Sequence, residues 1–161
     1  MTDSVKIERL SRKHRQAIRK LMDEFFKDFN RGFLFTDKLR KLEEYKNIDH
    51  VIKKELEKYF EWTGFVAIKD NKIVGYIIGH IKEEKQKVLE RKGCIEEFFV
   101  TENKRGEGVG RLLMNRIIKY FEKKKCDVLA IEAYSVNKKS IDYYRKLGFV
   151  DFSMKLVKRI N

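Results

Sequence analysis

Arg105-Gly106-Glu107-Gly108-Val109-Gly110-Arg111 is a glycine-rich turn. It lies between an apolar stretch ending at Val100 and a run in which Val109, Leu112, Leu113, Ile117, Tyr120 and Phe121 share one helical face. The first turn of a helix leaves backbone N–H groups unpaired, and glycines let an anion approach them without Cβ clashes. The segment therefore reads as strand, anion-holding loop and helix. Spacing excludes two familiar phosphate loops. A nucleoside-triphosphate loop ends in Lys-Ser or Lys-Thr, and here Arg111 follows Gly110. A dinucleotide fingerprint needs Gly-x-Gly-x-x-Gly, and here the third glycine comes one residue early.

Outward from the loop, the periodicities alternate between strand and helix. Upstream, Cys94 to Val100 reads as a strand, preceded by the charged loop Lys82 to Lys92. Gly64 to Lys69 and Lys72 to Glu83 are β-branched, apolar runs joined at Asp70-Asn71, a hairpin signature. Val5 to Leu10 is a short opening strand. Between them, Ile18, Leu21, Met22, Phe25, Phe26 and Phe29 recur at helical spacing within Lys13 to Phe29. After Asn30-Arg31-Gly32, a second helical pattern runs from Asp37 to Phe60, with a break near Asn47. Downstream, Val128 to Tyr134 reads as a strand and Asn137 to Leu147 as a helix stopped by Gly148. Phe149 to Ile160 reads as a final strand or pair of strands. The chain of 161 residues fits one domain, 1–161, with no repeat or linker inside it.

Composition narrows the classes of partner. Charged residues make up 39% and hydrophobic residues 42%, too apolar for a disordered tail. A net charge of +13 favours anionic partners. Lysines and glutamates are interspersed along the whole chain, as in surface ion-pair networks, and proline is absent. Most aromatics fall on apolar helical faces instead of interleaving with Lys and Arg on an exposed one, which argues against a nucleic-acid surface. No run is long and apolar enough for a membrane span or an export signal, so a soluble, cytoplasmic protein without a membrane partner is expected. Cys94 and Cys126 stand outside any metal-ligand spacing and read as reduced thiols; no metal is expected. His14, His50 and His80 belong to no motif and read as incidental.

Arg-x-x-Gly-x-Gly, here Arg105, Gly108 and Gly110, resembles the acetyl-CoA-binding loop of the GNAT superfamily of N-acetyltransferases. Two further stretches carry the resemblance. Cys94-Ile95-Glu96-Glu97-Phe98-Phe99-Val100 is similar to the family's splayed strand, and Asn137-Lys138-Lys139-Ser140-Ile141-Asp142-Tyr143-Tyr144-Arg145-Lys146-Leu147-Gly148-Phe149 to its last motif. The resemblance implies an α+β, three-layer fold with a mixed, largely antiparallel central sheet flanked by helices. It also implies acetyl-CoA as co-substrate. The backbone of Arg105, Gly106, Glu107, Gly108, Val109, Gly110 and Arg111 would hold the pyrophosphate, the main chain of Phe98, Phe99 and Val100 the pantetheine arm, and Asn137, Ser140 and Tyr144 the remainder of the cofactor.

The same resemblance implies direct attack of a neutral amine on the thioester, with Tyr144 as general acid toward the leaving thiolate. The run Ile-Glu-Glu-Phe-Phe-Val is similar to that of the diamine (spermidine/spermine) N-acetyltransferases, which implies Glu96 as base with Glu97 in reserve. Adjacent strand residues point to opposite faces, so only one of the two is expected to face the substrate. Asp37, Glu43, Glu44 and Asp49 could help attract a cationic polyamine, or serve as ordinary helix-surface charges. Ser140 replaces the family's alanine, as the diamine enzymes also do, whereas the basic end Lys155-Leu156-Val157-Lys158-Arg159 departs from theirs. A small primary amine, above all a polyamine, is the favoured acceptor, with a protein N-terminus or lysine as the alternative. An acetyl-CoA sensor and a basic nucleic-acid binder are the non-enzymatic alternatives. A homodimer through the last strands is the family's common assembly.

Overall fold

The computed structural model describes residues 4–30, 48–156, 158 and 160. Its centre is a five-stranded sheet in the order β1 (Lys6–Arg9), β2 (Thr63–Lys69), β3 (Lys72–Glu83), β4 (Arg91–Val100) and β5 (Val128–Ile131). Strands β1 to β4 pair antiparallel, and β5 runs parallel to β4. The expected mixed, largely antiparallel sheet is therefore present. Asp70 and Asn71 both adopt positive φ, 50° and 57°, which is the twist that a two-residue hairpin needs.

Helices cover both faces. On one side lie α1 (Arg15–Asn30) and α2 (Ile48–Glu61), whose Ile18, Met22, Ile52, Leu56 and Tyr59 pack with Val66, Tyr76, Ile78 and Phe99 of the sheet. On the other lies α3 (Val109–Lys123), whose Val109, Leu113, Met114, Ile117 and Phe121 pack with Phe65, Ala67, Ile77 and Ile95. Alternate residues of β3 thus feed opposite cores, Tyr76 and Ile78 one and Ile77 the other. Each large side chain buried there contributes about 1.5–3 kcal/mol. A short α4 (Lys138–Lys146) lies beside the α3 face through Tyr143 and Tyr144.

Three sequence expectations change. The strand expected from Cys94 begins at Arg91, because β3 and β4 stay paired through Glu83↔Arg91 and shorten the loop between them. The strand expected to reach Tyr134 ends at Ile131, where its pairing with β4 ends. No regular element forms among the described residues from Phe149 onward. Val150, Phe152, Met154, Leu156 and Ile160 keep the alternation of a strand but are all exposed, since a strand needs a neighbouring edge as well as a pattern. The expected break before the second helix, and Asp37, Glu43, Glu44 and the side chain of Asp49, lie outside the described residues.

Candidate active site

Strand β4 outruns its parallel neighbour. Its pairing with β5 covers Lys92↔Val128 to Ile95↔Ile131, and residues 96–100 continue with β3 alone. A wedge therefore opens between β4 and β5, bordered by β4 backbone that has no strand partner on that side among the described residues. Phe98, Phe99 and Val100 lie along it. Phe98 turns toward the α3 face, where its ring stacks on Tyr143 (6.1 Å, 27°) and neighbours Tyr144 (6.5 Å). Phe99 is buried on the opposite face against Phe25 and Tyr76.

Just beyond the wedge, the chain makes a 3-10 turn at Glu102–Lys104 and enters the glycine loop. Gly106 and Gly108 take φ of +79° and +83°, a left-handed conformation costly for any residue with a Cβ. Among the described residues nothing lies within 4 Å of where their Cβ atoms would be, which leaves the surface above the loop open to them. Gly108 caps α3 without a side chain, leaving the helix's first N–H groups to an external acceptor. Val109 is buried in the core and Gly110 sits beneath the Phe98 ring, so both offer the loop only backbone.

The loop's charged residues have distinct neighbours. Arg105 turns back to β4: its Nε donates to the Val100 carbonyl (2.8 Å) and its guanidinium lies 5.4 Å from the Phe99 ring centre. It thereby fixes the loop to the end of the wedge. Glu107 pairs with Lys69 and, at 3.9 Å, with Lys104; the Lys69 hydrogen bond holds its carboxyl below the ordinary range. Its negative charge is thus offset beside a loop suited to anions. Arg111 is exposed on the first turn of α3.

Helix α4 brings the aromatic acid candidate to the same side. Asn137 caps it, its Oδ1 accepting from the Ser140 N–H at 3.3 Å. Tyr144 is tucked among Phe98, Tyr143 and Phe149. Burial pushes its phenol up to about 12, opposed by a hydrogen bond with Ser140, so the hydroxyl keeps its proton at neutral pH. Tyr143, which no motif singled out, has a hydroxyl closed to solvent and without a hydrogen-bond partner among the described residues.

The adjacent glutamates depart from the expectation that they diverge. Ile78 pairs with Glu97 and Gly79 with Ile95, so Glu96 is the extra residue of a β-bulge. The bulge leaves Glu97 against Tyr59 of α2 and Glu96 beside His80, on the same face of the sheet. Glu97, 7% exposed, accepts hydrogen bonds from the hydroxyls of Tyr59 and Tyr76. Glu96 is exposed, and its Oε1 lies 3.4 Å from His80 Nδ1, on an imidazole packed at a tilt against Trp62 (4.6 Å, 30°). Neither the bulge nor the tyrosine clamp is visible in a linear pattern, because both depend on the cross-strand register.

The comparisons agree with this architecture. The chain is 32% identical over 120 aligned residues to an uncharacterized N-acetyltransferase of Methanocaldococcus jannaschii, covering 63% of this chain and 50% of the relative. The chain thus spans about half the length of that curated relative. Among solved structures, an aminoglycoside N-acetyltransferase in complex with CoA superposes with a TM-score of 0.74 at 18% identity, over 99% of this chain and 96% of that one. A protein from Bacillus halodurans superposes with a TM-score of 0.81 at 18% identity, over 97% and 99% of the two chains. These likenesses establish the fold. A family model described as the acetyltransferase (GNAT) family matches residues 16–149, and the chain belongs to that family.

Proposed function

We propose that the protein transfers the acetyl group of acetyl-CoA to a primary amine, with a small amine such as a polyamine as the favoured acceptor. The observation that carries this reading is the continuity of the wedge beside residues 96–100 with the open, left-handed glycine loop at the start of α3. An extended thioester arm can pair with the β4 backbone groups along the wedge that have no strand partner, the Val100 carbonyl being held by Arg105, while its pyrophosphate rests on the helix terminus. Phe98, Phe99 and Val100 serve through their main chain. Gly106 to Arg111 provide the anion cradle, Arg105 anchors it, and Asn137, Ser140 and Tyr144 border it from α4.

In this reading two groups act on one centre in the wedge from opposite faces of the sheet. Glu96 lies beside His80 on the α2 face and Tyr144 on the α3 face. In the proposed reaction, Glu96 takes the ammonium proton, directly or through a water, and the freed nitrogen forms a bond to the carbonyl carbon. Backbone N–H groups at the end of β4 stabilise the oxyanion. The oxyanion then collapses and the carbon–sulfur bond breaks as Tyr144 gives its proton to the sulfur, while the second proton of the attacking nitrogen passes through water to the Tyr144 phenolate, leaving a neutral amide and a free thiol. Glu97 is set aside as base because two tyrosines already occupy its buried carboxylate. Two adjacent acidic residues favour a cationic acceptor, and the exposure of Glu96 leaves room for a small one.

A screen of acetyl-CoA thiol release over polyamines, aminoglycosides, amino acids and N-terminal peptides tests the reading. Amine-dependent release is expected to be greatest with a polyamine. Release with no amine in the set, together with no stabilisation by acetyl-CoA, would contradict it. The exposed alternation Val150, Phe152, Met154 and Leu156 supports a homodimer in which this segment pairs with a second copy.

A further inference from the structure

His80 and Cys94 face each other across β3 and β4, and the bulge at Glu96 swings a carboxylate beside them. A nitrogen of His80, the Cys94 sulfur and a Glu96 oxygen all lie within 4.8 Å of one another. We propose that these three residues form a binding site for a borderline-soft divalent cation, zinc above all.

Chemistry selects the ion. One imidazole, one thiolate and one carboxylate match zinc's mixed preference for nitrogen, sulfur and oxygen, whereas magnesium and calcium take oxygen ligands only. Geometry agrees. Tetrahedral zinc with bonds of about 2.0–2.3 Å holds its ligand atoms about 3.3–3.8 Å apart. The 3.4 Å between His80 Nδ1 and Glu96 Oε1 already falls in that range. The Cys94 sulfur, within 4.8 Å of its two partners' ligand atoms, would have to close the remaining gap by a side-chain movement.

His80 supplies an independent observation. Its Nδ1 is closed to solvent and, although 3.4 Å from Glu96 Oε1, makes no hydrogen bond among the described residues, so a cation between the two would satisfy both. The ring packs against Trp62 at 4.6 Å with a 30° tilt, a contact that favours its orientation before any ligand arrives. Two ligands come from paired strands, and the third is the bulge residue, whose exposure leaves a fourth coordination position open toward solvent. Such three-ligand sites keep one position for water or substrate. A cation there would occupy the Glu96 carboxylate and so hold acetyl transfer in check. That consequence rests on Glu96 as base; the site itself does not.

Cobalt(II) reports a thiolate ligand by its charge-transfer absorption and tetrahedral geometry by its visible bands. The chelator-stripped full chain, with neither acetyl-CoA nor amine present, is titrated with cobalt and then displaced with zinc. About one cation per chain is expected, with a charge-transfer band that is lost in Cys94→Ser and kept in Cys126→Ser. His80→Gln is expected to weaken zinc binding at least about 10-fold. In the wild-type chain, which requires no variant to fold, zinc is expected to slow alkylation of Cys94 and leave Cys126 unaffected. Absence of a thiolate band, its survival in Cys94→Ser, or equal alkylation of Cys94 with and without zinc would overturn the proposal.

Discussion

Glu96 and Glu97, adjacent in the chain, present their carboxylates to the same side of the sheet: Glu97 is held by the hydroxyls of Tyr59 and Tyr76, and Glu96 lies exposed beside His80. The bulge opposite Ile78 and Gly79 is what turns them together. The proposed mechanism therefore assigns proton transfer to exposed Glu96 and leaves Glu97, held by two tyrosines, to the core.

The proposed division predicts different consequences for two similar substitutions. Glu96→Gln should lower kcat by about 10²–10⁴-fold, the scale of general-base contributions, and abolish the acidic limb of the pH–rate profile. Glu97→Gln should keep that limb. It leaves one tyrosine hydroxyl poorly partnered, so it should cost about 1–3 kcal/mol of stability, read by denaturant unfolding. The same loss of the acidic limb in both variants would refute the division.

Tyr144→Phe should reduce kcat about 10- to 1,000-fold. Because burial raises the phenol to about 12, the proton-donating form persists through neutral and moderately alkaline pH. The wild-type rate should therefore show no alkaline fall from this group until the pH approaches that value. A pH–rate profile in which a descending limb near pH 9 disappears in the Tyr144→Phe enzyme would count against this.

Gly108 combines a left-handed φ with open space above it. Gly108→Ala meets no neighbour, so its cost should come from the backbone, about 1–2 kcal/mol. Displacing the N–H groups at the start of α3 should also raise the KM for acetyl-CoA while leaving that for the amine little changed. A variant with normal KM for acetyl-CoA would place the phosphates elsewhere.

Acid should weaken the surface ion-pair network in a defined window. Lys6 and Lys13 hold Glu8 at about 2, and Lys87, Lys92 and Lys82 hold Glu84 at about 2. A carboxyl depressed in the folded state contributes its stabilisation above its unfolded value of 4.5 and loses it as pH falls toward the folded value of about 2. The Tm difference between wild type and Glu84→Gln should thus be small, reach its full size above pH 4.5 and close by pH 2. A difference that grows on acidification would reverse the assigned sign.

The sequence makes the glycine loop legible because its chemistry is local: positive φ, an unpaired helix terminus and a following amphipathic run lie within a few residues. The hairpin at Asp70-Asn71 and the faces of α1 and α3 are legible for the same reason. What escaped depends on pairing between distant residues. The bulge at Glu96, the clamp on Glu97, the meeting of His80 with Cys94, and a Tyr143 hydroxyl without a hydrogen-bond partner among the described residues arise only once β3, β4 and α4 take their places. At the C-terminal end the alternation from Val150 to Leu156 is genuine, yet it finds no strand partner within the described chain. Its expected partner is a second copy, so Phe152→Glu should shift a dimer toward monomer by light scattering. A wild-type monomer would exclude that assembly.

Amide hydrogen exchange with and without acetyl-CoA tests the central claim most directly. The thioester arm lying in the wedge should slow exchange along residues 96–100, its pyrophosphate should slow exchange along 105–111, and β1 and β2 should remain unchanged. Acetyl-CoA binding that leaves both segments exchanging at their free rates would contradict the account.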